Sequence, residues 1–304
     1  MEIRSSESDA DLQLEVAVHN AVRPYDPVGV DERRGYKARL DACLSLLAFD
    51  DGRSVGSALM TVEAARNLPT ARAWVLSEER RRGIGSALYH AMSEWAAERG
   101  VDALETWVDE QQPDGLAFAR NRGFVEIARE ETLQLDLASC DPPSVEPPEG
   151  VEVATWAERP ELARALYEVA IECYPDIPGQ EDEQMPSFEA WLSQDMQSPG
   201  DRPEGVFVAL AAEHVVGYAK FYLSEAQPTV AHHDLTGVKR AWRGRGVARA
   251  LKAAQIRWAK ARGYEQLRTR NEERNVPIRK LNERFGYRPA PGRIYLRGPL
   301  AQTR

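Results

Sequence analysis

The sequence predicts an α+β protein of two similar domains in tandem, each with a mixed, mostly antiparallel sheet flanked by helices. Three observations predict this architecture. The chain has 304 residues, enough for two domains of roughly 150 residues each. A segment in the first half recurs in the second. A proline-rich acidic stretch separates the two copies, so a duplication followed by a linker explains the length.

The repeat is seen when the sequence is shifted by 163 residues. Arg80 to Leu88 then lies on Arg243 to Leu251, Trp95-Ala96 on Trp258-Ala259, and Gly123-Phe124 on Gly286-Tyr287. The register holds without a gap, which chance would not produce. Duplication therefore sets the domain count at two.

The linker is the segment from Asp141 to Gly150, which contains four prolines and several acidic residues. Such a composition favours an extended, solvated chain. We predict an N-terminal domain at 1–140, a linker at 141–149 and a C-terminal domain at 150–304.

The elements of the first half follow from periodicity and turn signals. Helices are predicted at Asp9–Ala21, Gly85–Arg99 and Pro113–Asn121, and strands at Leu44–Phe49, Ser54–Thr61, Ala71–Leu76, Ala103–Val108 and after Gly123. Asp50-Asp51-Gly52 is a hairpin turn between the first two of these strands, and Gly100 ends the second helix.

The second half repeats this order. Helices are predicted at Pro160–Glu172 and Ala248–Ala261, and strands at Phe207–Ala211, Val215–Tyr222, His232–Val238 and Gln266–Asn271. Each half opens with a short strand pattern, at Glu2-Ile3-Arg4 and Val151-Glu152-Val153.

Composition and charge exclude several classes of protein. The chain is 43% hydrophobic and 29% charged, which is typical of a globular protein. Its formal charge of −9 argues against a nucleic-acid or membrane-surface partner. Apolar runs are only strand-length and the N-terminus lacks the features of a signal peptide, so we expect a cytoplasmic protein. Three widely spaced cysteines predict neither disulfides nor a metal site.

A strand that enters Arg-x-x-Gly-x-Gly/Ala and continues as a helix is a phosphate-binding pattern. Unpaired helix amides, the helix dipole and arginines meet there, and the glycines admit the phosphate. A nucleoside triphosphate loop is disfavoured because no Lys-Ser/Thr follows. A dinucleotide fold would need a third glycine where Leu88 and Arg249 stand, although Asp102 and Glu265 keep that interpretation open.

The two loops resemble the motif of the GCN5-related N-acetyltransferase superfamily, Gln/Arg-x-x-Gly-x-Gly/Ala. The resemblance extends to the strand that enters each loop and to the closing Gly-aromatic pairs. It implies acetyl-CoA as the cofactor, with its pyrophosphate on the loop amides and its thioester carbonyl on the strand backbone. The residues it implies for coenzyme binding are Val75, Arg80, Arg81, Arg82, Gly83, Ile84 and Gly85 in the first half, and Val238, Arg243, Gly244, Arg245, Gly246, Val247, Ala248 and Asn275 in the second.

The resemblance also favours catalysis in the C-terminal half. Asn275 matches an asparagine that is frequent in the family, whereas the first half has Gln112. The usual general acid, a tyrosine, is replaced by Asn282 and Ala119. Protonation of the thiolate is left to another group or to water, and the candidate tyrosines are Tyr287, Tyr222 and Tyr295.

A candidate general base precedes the second loop. His232, Asp234, Thr236 and Val238 alternate along a strand, which predicts that they share one face. Histidine, with an ordinary pKa near 6.5, can accept the proton of an amine at neutral pH. Several family members carry a base at the position of His232, and the first half has Pro69 there. The alternative is that His232-His233 is only a polar strand start.

The acceptor side is predicted to lie in the segment after the first helix of the second half. Tyr174, Asp176, Asp182 and Trp191 combine acidic and aromatic groups that can hold a cationic amine by charge pairing and cation–π contact. The alternative is a solvated acidic loop whose aromatic residues pack in the core.

The function predicted is transfer of acetyl from acetyl-CoA to a primary amine of a small molecule, without nucleic acid, membrane or metal. His232, Asp234, Val238, Asn275 and Tyr287 are the candidate catalytic residues. A narrower version resembles mycothiol synthase, a family of tandem acetyltransferase halves that acylates an amino-thiol sugar. An aminoglycoside or another antibiotic amine is an equally open acceptor. The alternatives are a degenerate acyl-CoA-binding sensor or scaffold and, remotely, a dinucleotide oxidoreductase.

Overall fold

The fold was analysed in a computed structural model of the chain, which describes residues 1–62, 68–177, 185–272 and 275–302. The chain divides into two compact units. Unit 1 consists of Met1–Glu130 together with Pro291–Arg304, and unit 2 of Glu131–Ala290.

Twelve strands and eight α-helices are described in these residues. The strands are β1 (Glu2–Ser5), β2 (Ala42–Asp50), β3 (Arg53–Val62), β4 (Thr70–Val75), β5 (Ala103–Asp109), β6 (Val125–Asp136), β7 (Val151–Thr155), β8 (Val206–Ala211), β9 (His214–Tyr222), β10 (Val230–Val238), β11 (Gln266–Glu272) and β12 (Arg288–Pro299). The helices are α1 (Asp9–Val22), α2 (Val30–Ala38), α3 (Ile84–Ala97), α4 (Pro113–Arg120), α5 (Ala163–Cys173), α6 (Phe188–Trp191), α7 (Val247–Ala261) and α8 (Val276–Arg284).

Each unit has a mixed sheet in which antiparallel pairs dominate, so the predicted fold class is confirmed. The strand order is β1-β2-β3-β4-β5-β12 in unit 1 and β6-β11-β10-β9-β8-β7 in unit 2. The parallel pairs in the described registers are β4 with β5 and β10 with β11. These are the two strands that flank the glycine loop and the helix after it in each unit.

The parallel strands separate soon after they pair. In unit 1 the paired residues are Thr70 and Glu105, near the start of both strands. In unit 2 the pairing runs from Val230 to His232 against Gln266 to Arg268. In unit 1 the two strands splay beyond Thr70 and Glu105, and residues of both line a cavity beside the loop.

Hydrophobic side chains of the helices after the loops build the cores. In α3, Ile84, Leu88 and Met92 lie one helical turn apart and pack on the unit 1 sheet. In α7, Val247 and Leu251 pack in the same way in unit 2. The opposite face of the unit 2 sheet packs against α5 and α6.

The units differ from the predicted domains at their ends. Residues 293–299 of β12 pair with β5 of unit 1, although the sequence analysis assigned them to the C-terminal domain. Residues 131–140 belong to unit 2, where Leu133, Leu135 and Leu137 enter the core. The predicted linker at 141–149 therefore lies inside unit 2. The reason is long-range strand pairing, which a repeat in the sequence does not reveal.

The elements predicted with a residue range are present, with ends displaced by at most three residues. Helix α2 was not predicted, because its sequence, Val-Asp-Glu-Arg-Arg-Gly-Tyr-Lys-Ala, has almost no apolar face. Among the described residues no helix is long and apolar enough to span a membrane.

Candidate functional site

Both glycine loops end in a helix whose first turn has no side-chain cap. Gly83 and Gly246 are the N-cap residues, with left-handed φ values of 88° and 93° that favour glycine. Neither helix has an acidic residue in its first turn. The first amides of each helix therefore lack a partner from the helix and lie at its positive end. This geometry fits the pyrophosphate of a coenzyme.

The first arginine of each motif forms a hydrogen bond to the backbone of the strand that enters the loop. Arg80 Nε donates to the carbonyl oxygen of Val75 at 3.3 Å, and Arg243 Nε donates to that of Val238 at 2.9 Å. Both guanidinium groups also pair with a carboxylate, at Asp114 in unit 1 and at Asp176 in unit 2. Since these contacts recur in the two units, we infer that both arginines hold the loop in shape.

The remaining loop side chains differ between the units. Arg81 has a left-handed φ of 64°, and the corresponding residue of unit 2 is Gly244 with a φ of 73°. Arg82 pairs with Glu79 and Asp50. In unit 2, Arg245 lies over the ring of Trp242 at 5.0 Å. The backbone conformation of the loop is thus conserved between the units while its side-chain contacts are not.

Unit 1 contains a cavity of about 450 Å³ between the splayed strands. Its lining includes the loop residues Val75, Arg80, Arg81, Gly83, Ile84 and Gly85, all predicted for coenzyme binding. Tyr89 and Met92 of α3 and Phe118 of α4 also line it. The cavity therefore joins the uncapped helix end to an apolar cleft, as a coenzyme with a long pantetheine arm requires.

The far end of the cavity is lined by a buried ion network. Arg23 Nε donates to Asp109 at 2.7 Å, and Arg23 also pairs with Asp26 at 2.6 Å. Arg293 pairs with the same two carboxylates. The guanidinium of Arg293 stacks on Trp107 at 3.8 Å and that of Arg23 lies 4.8 Å from this ring. This network fixes the shape of the cleft opposite the loop.

His19 is buried beside this network in its neutral form. Its Nδ1 accepts a hydrogen bond from Arg33 Nη2 at 3.0 Å, and its ring contacts Trp74 edge to face. Burial, with Arg33 and Arg23 nearby, lowers the pKa of His19 to about 3. Burial also lowers the pKa of Arg33 to about 10.

This histidine predicts a specific pH dependence of stability. Unfolding raises the pKa of His19 from about 3 towards 6.5. Between these values the unfolded chain binds more protons, so stability is present above pH 6.5 and falls as the pH is lowered. From pH 7 to pH 5 the expected loss from His19 is about 2 kcal/mol. Urea unfolding at both pH values measures it, and His19→Gln should reduce the loss by that amount. An unchanged loss in this variant would contradict the assignment.

In unit 2 a bulge in β10 changes which side chains share a face. His233 pairs with Phe221, and Thr236 pairs with Ala219, with a register shift between them. Directly paired residues of antiparallel strands lie on the same face, and Phe221 shares its face with Ala219. Thr236 therefore lies on the face of His233, opposite His232. The predicted single face is wrong, because the inserted residue reverses the alternation.

The bulge leaves the two candidate acid–base residues in distinct surroundings. His232 is half-buried, and its Nε2 lies 3.1 Å from Gln227 Oε1. Asp234 is half-exposed and pairs with the buried Lys220 Nζ at 2.8 Å. Although burial alone lowers the pKa of Lys220, the carboxylates of Asp234 and Asp201 raise it above its usual value. Asp234 thus forms an ion pair with a buried cation.

Tyr287 lies on the other face of β10. It is fully buried, and its hydroxyl lies 2.5 Å from His233 Nε2. Burial raises the pKa of Tyr287 well above its usual range. The structure therefore does not bring Tyr287 and His232 together. Asn275 is the N-cap residue of α8, without a side-chain cap bond.

The predicted acceptor residues are dispersed. Asp176 pairs with Arg240 and Arg243 beside the loop, and these hydrogen bonds lower its pKa. Trp191 has no exposed surface and packs in the core of unit 2. Tyr174 packs against the same core. Asp182 lies outside the described residues. Trp191 is therefore corrected from a binding residue to a core residue.

The comparisons with known proteins identify the family. The pattern of the Acetyltransferase (GNAT) family matches residues 13–124 and 163–287, one match for each copy of the loop. The chain belongs to this family. The predictions of a GNAT fold and of an N-acetyltransferase are confirmed.

Curated relatives of this GNAT chain carry one name. A "Mycothiol acetyltransferase" of Nocardia farcinica is 28% identical over 258 residues, which cover 82% of this chain and 80% of the relative. Proteins of the same name are similar in Catenulispora acidiphila, at 27% identity with 76% and 73% covered, and in Thermomonospora curvata, at 24% with 92% and 91% covered.

Solved structures share the tandem fold of this GNAT protein. A "Tandem GNAT protein from the clavulanic acid biosynthesis pathway" is 21% identical with a TM-score of 0.79, and each chain is covered completely. A "GCN5-related N-Acetyltransferase" of Sphaerobacter thermophilus is 22% identical with a TM-score of 0.72, with 100% and 96% of the chains covered. At these identities the likeness shows the fold alone.

Several cavity residues of this GNAT protein were missed by the sequence analysis. Arg23, Arg72, Trp107 and Asp109 line the unit 1 cavity. Trp107 and Asp109 stand two apart on a predicted strand, which is the alternation of residues on one face. No sequence motif distinguishes them, because their grouping depends on contacts with α1 and β12. Gln112, noted only as the counterpart of Asn275, also lines the cavity.

Proposed function

We propose that this GNAT protein transfers the acetyl group of acetyl-CoA to a primary amine of a small molecule. In this proposal both loops bind the coenzyme and catalysis takes place in unit 2. The observation that carries it is a difference between the two strands that enter the loops. Unit 2 places His232 and Asp234 on the strand that enters its loop, where unit 1 has Pro69 and Ala71.

The residues of unit 2 have distinct roles in this proposal. The amides after Gly246 bind the pyrophosphate of the coenzyme. His232 removes a proton from the acceptor ammonium, directly or through a water, so that a neutral amine attacks the thioester. Asp234, held by Lys220, places a negative charge beside His232 that stabilises the imidazolium. Tyr287 does not share a face with His232, since its hydroxyl lies against His233.

The relatives support a narrower acceptor, the amine of an amino-thiol sugar of the kind found in mycothiol. Their similarity covers three quarters or more of this chain in the cases given above. It therefore includes residues of both units.

A second candidate is a catalytically degenerate protein that binds an acyl-CoA as a sensor or scaffold. One observation favours it. The two positions of the usual tyrosine acid hold Asn282 and Ala119, and both side chains are buried. Binding without turnover would distinguish this candidate from the enzyme.

One experiment tests the proposed enzyme and its site together. His232→Gln should lower kcat for an amine panel that includes the amino-thiol sugar by about 10²-fold, because general base catalysis is lost. Calorimetric titration with acetyl-CoA should show two sites per chain in the wild type and in this variant. His214→Gln, an exposed histidine on β9, is the matched control. Unchanged turnover in His232→Gln would contradict the assignment, and binding without turnover in the wild type would favour the sensor.

A further inference from the structure

Unit 2 contains a cluster of buried polar side chains. Its members are Lys252 and Gln255 of α7, His233 of β10, Asn282 of α8 and Tyr287, and none is more than 8% exposed. The hydroxyl of Tyr287 lies 2.5 Å from His233 Nε2, and Lys252 Nζ lies 5.6 Å from the Tyr287 ring centroid. We call this group the polar cluster.

Several hydrogen-bonding atoms of the polar cluster have no hydrogen-bond partner of normal geometry among the described residues. Among the described residues Lys252 forms no ion pair or hydrogen bond, and burial lowers its pKa to about 7. Both amide atoms of Gln255 lack a hydrogen bond of normal geometry, although Gln255 lies against His233. Nδ1 of His233 and Oδ1 of Asn282 also lack a partner. Buried polar groups without partners are costly, so the cluster is suited to receive a polar group from outside the chain.

The internal repeat aligns the polar cluster with residues that line the unit 1 cavity. Helices α3 and α7, strands β5 and β11, and helices α4 and α8 all begin 163 residues apart, at residues 84 and 247, 103 and 266, and 113 and 276. By this register Lys252 corresponds to Tyr89, Gln255 to Met92, Asn282 to Ala119 and Tyr287 to Phe124. All four unit 1 residues line the cavity that contains the Gly83 loop.

The two clefts therefore differ in chemistry at matching positions. Among these four unit 1 residues the polar group is the hydroxyl of Tyr89, which already donates to the carbonyl oxygen of Pro299 at 2.7 Å. Around Tyr89 lie the rings of Phe118 and Phe124 and the guanidinium of Arg122, which also lines the cavity. At the matching unit 2 positions, Lys252 has no ion pair or hydrogen bond among the described residues, and Gln255 lies against His233.

We propose that the unit 2 cleft binds the carboxylate of a carboxylate-terminated acyl chain, so that the protein also transfers such acyl groups from their CoA thioesters. Lys252 and the amide nitrogen of Gln255 would hold the carboxylate, because an ammonium in a buried site requires an anion as partner. The inference rests on coenzyme binding by unit 2 in the proposed function. A thioester whose pyrophosphate lies at Gly246 reaches the polar cluster through the same cleft.

The reaction balances as the acetyl transfer does. The amine nitrogen forms an amide bond with the acyl carbonyl carbon, and the bond from that carbon to sulfur breaks. The sulfur leaves with the electron pair and takes up one proton to become the CoA thiol. His232 takes one proton from the acceptor ammonium before the attack, and the nitrogen loses a second proton after the attack, which balances the proton that the sulfur takes up. The terminal carboxylate is unchanged and stays paired with Lys252.

The test compares CoA, acetyl-CoA and succinyl-CoA as ligands of the full chain by calorimetry. In the wild type one site should bind succinyl-CoA about 10-fold more tightly than acetyl-CoA, as one charge-assisted contact allows. Lys252→Met should remove this preference and leave the affinity for CoA and acetyl-CoA unchanged. Arg257→Met, an exposed position of the same helix, is the matched control.

The remaining outcomes overturn the inference in different ways. Equal losses for all three ligands in Lys252→Met would mean that Lys252 binds the pantetheine arm. No effect would mean that the polar cluster holds only buried water. Absence of CoA binding by unit 2 would contradict the proposed function itself. Lys252→Met should not lower Tm, since it removes an unpaired buried charge, and Gln255→Leu is a second variant with the same expected loss of preference.

Discussion

Replacement of Gly246 by valine is expected to lower kcat/KM for acetyl-CoA by about 10³-fold. Gly246 has a φ of 93°, which a β-branched residue adopts only under strain of about 1–3 kcal/mol. Relief of that strain would turn the first amides of α7 away from the pyrophosphate. Each charge-assisted hydrogen bond lost costs about 1.5–3 kcal/mol. Initial rates at varied acetyl-CoA concentration measure the effect.

Two glycine controls separate the loop from general strain. Gly263 has a φ of 79° at the other end of α7, with nothing within 4 Å of an added Cβ. Gly263→Val therefore carries similar strain and should leave kcat/KM close to the wild-type value. Gly83→Val makes the equivalent change in unit 1 and should affect turnover less than Gly246→Val. Full activity of Gly246→Val with loss in Gly83→Val would reverse the assignment of catalysis to unit 2.

Replacement of Trp191 by alanine is expected to destabilise the protein by about 3–5 kcal/mol, the usual cost of deleting a large buried aromatic side chain. Trp191 has no exposed surface. Its ring lies 5.3 Å from that of Tyr167 and 6.2 Å from that of Phe188. Its indole nitrogen has no hydrogen-bond partner, so its contribution comes from apolar packing alone. The free energy of unfolding in urea measures the loss.

The same variant decides between a core role and the acceptor role predicted from sequence. In a core role Trp191→Ala leaves KM for the amine unchanged at temperatures where the variant is folded. Trp191→Phe should recover part of the lost stability, because it refills part of the cavity. A raised KM with wild-type stability would instead return Trp191 to the acceptor surface.

Much of the fold was predictable because its signals are local. The glycine loops, the helices that follow them and the hairpin at Asp50-Asp51-Gly52 depend on turn chemistry and periodicity within short windows. The assignment of residues 131–140 to unit 2 and of residues 293–299 to unit 1 was not predictable. Residues 293–299 pair with β5 across a separation of about 190 residues, and hydrogen bonds of the backbone carry no residue-specific signal.

Part of the candidate site was also predictable from local signals in the sequence. Gly83 and Gly246 were found because a left-handed N-cap before an uncapped helix demands glycine. His232 and Asp234 were proposed from alternation, which fails beyond them because a bulge in β10 leaves no periodic signal in the sequence. The polar cluster was missed, since Lys252 on a helix looks like an ordinary exposed lysine.

The sequence by itself determined that the chain is a duplication, that each copy carries a phosphate-binding loop, and that both copies belong to one kind of fold. These features follow from residues that are close in the chain. Only the tertiary structure decided which strands belong to each unit. It also placed Trp191 in the core and Lys252 in a buried position without an ion pair or hydrogen bond among the described residues. Burial and long-range pairing depend on how distant segments meet, and the free energy of a buried charge is set by those neighbours.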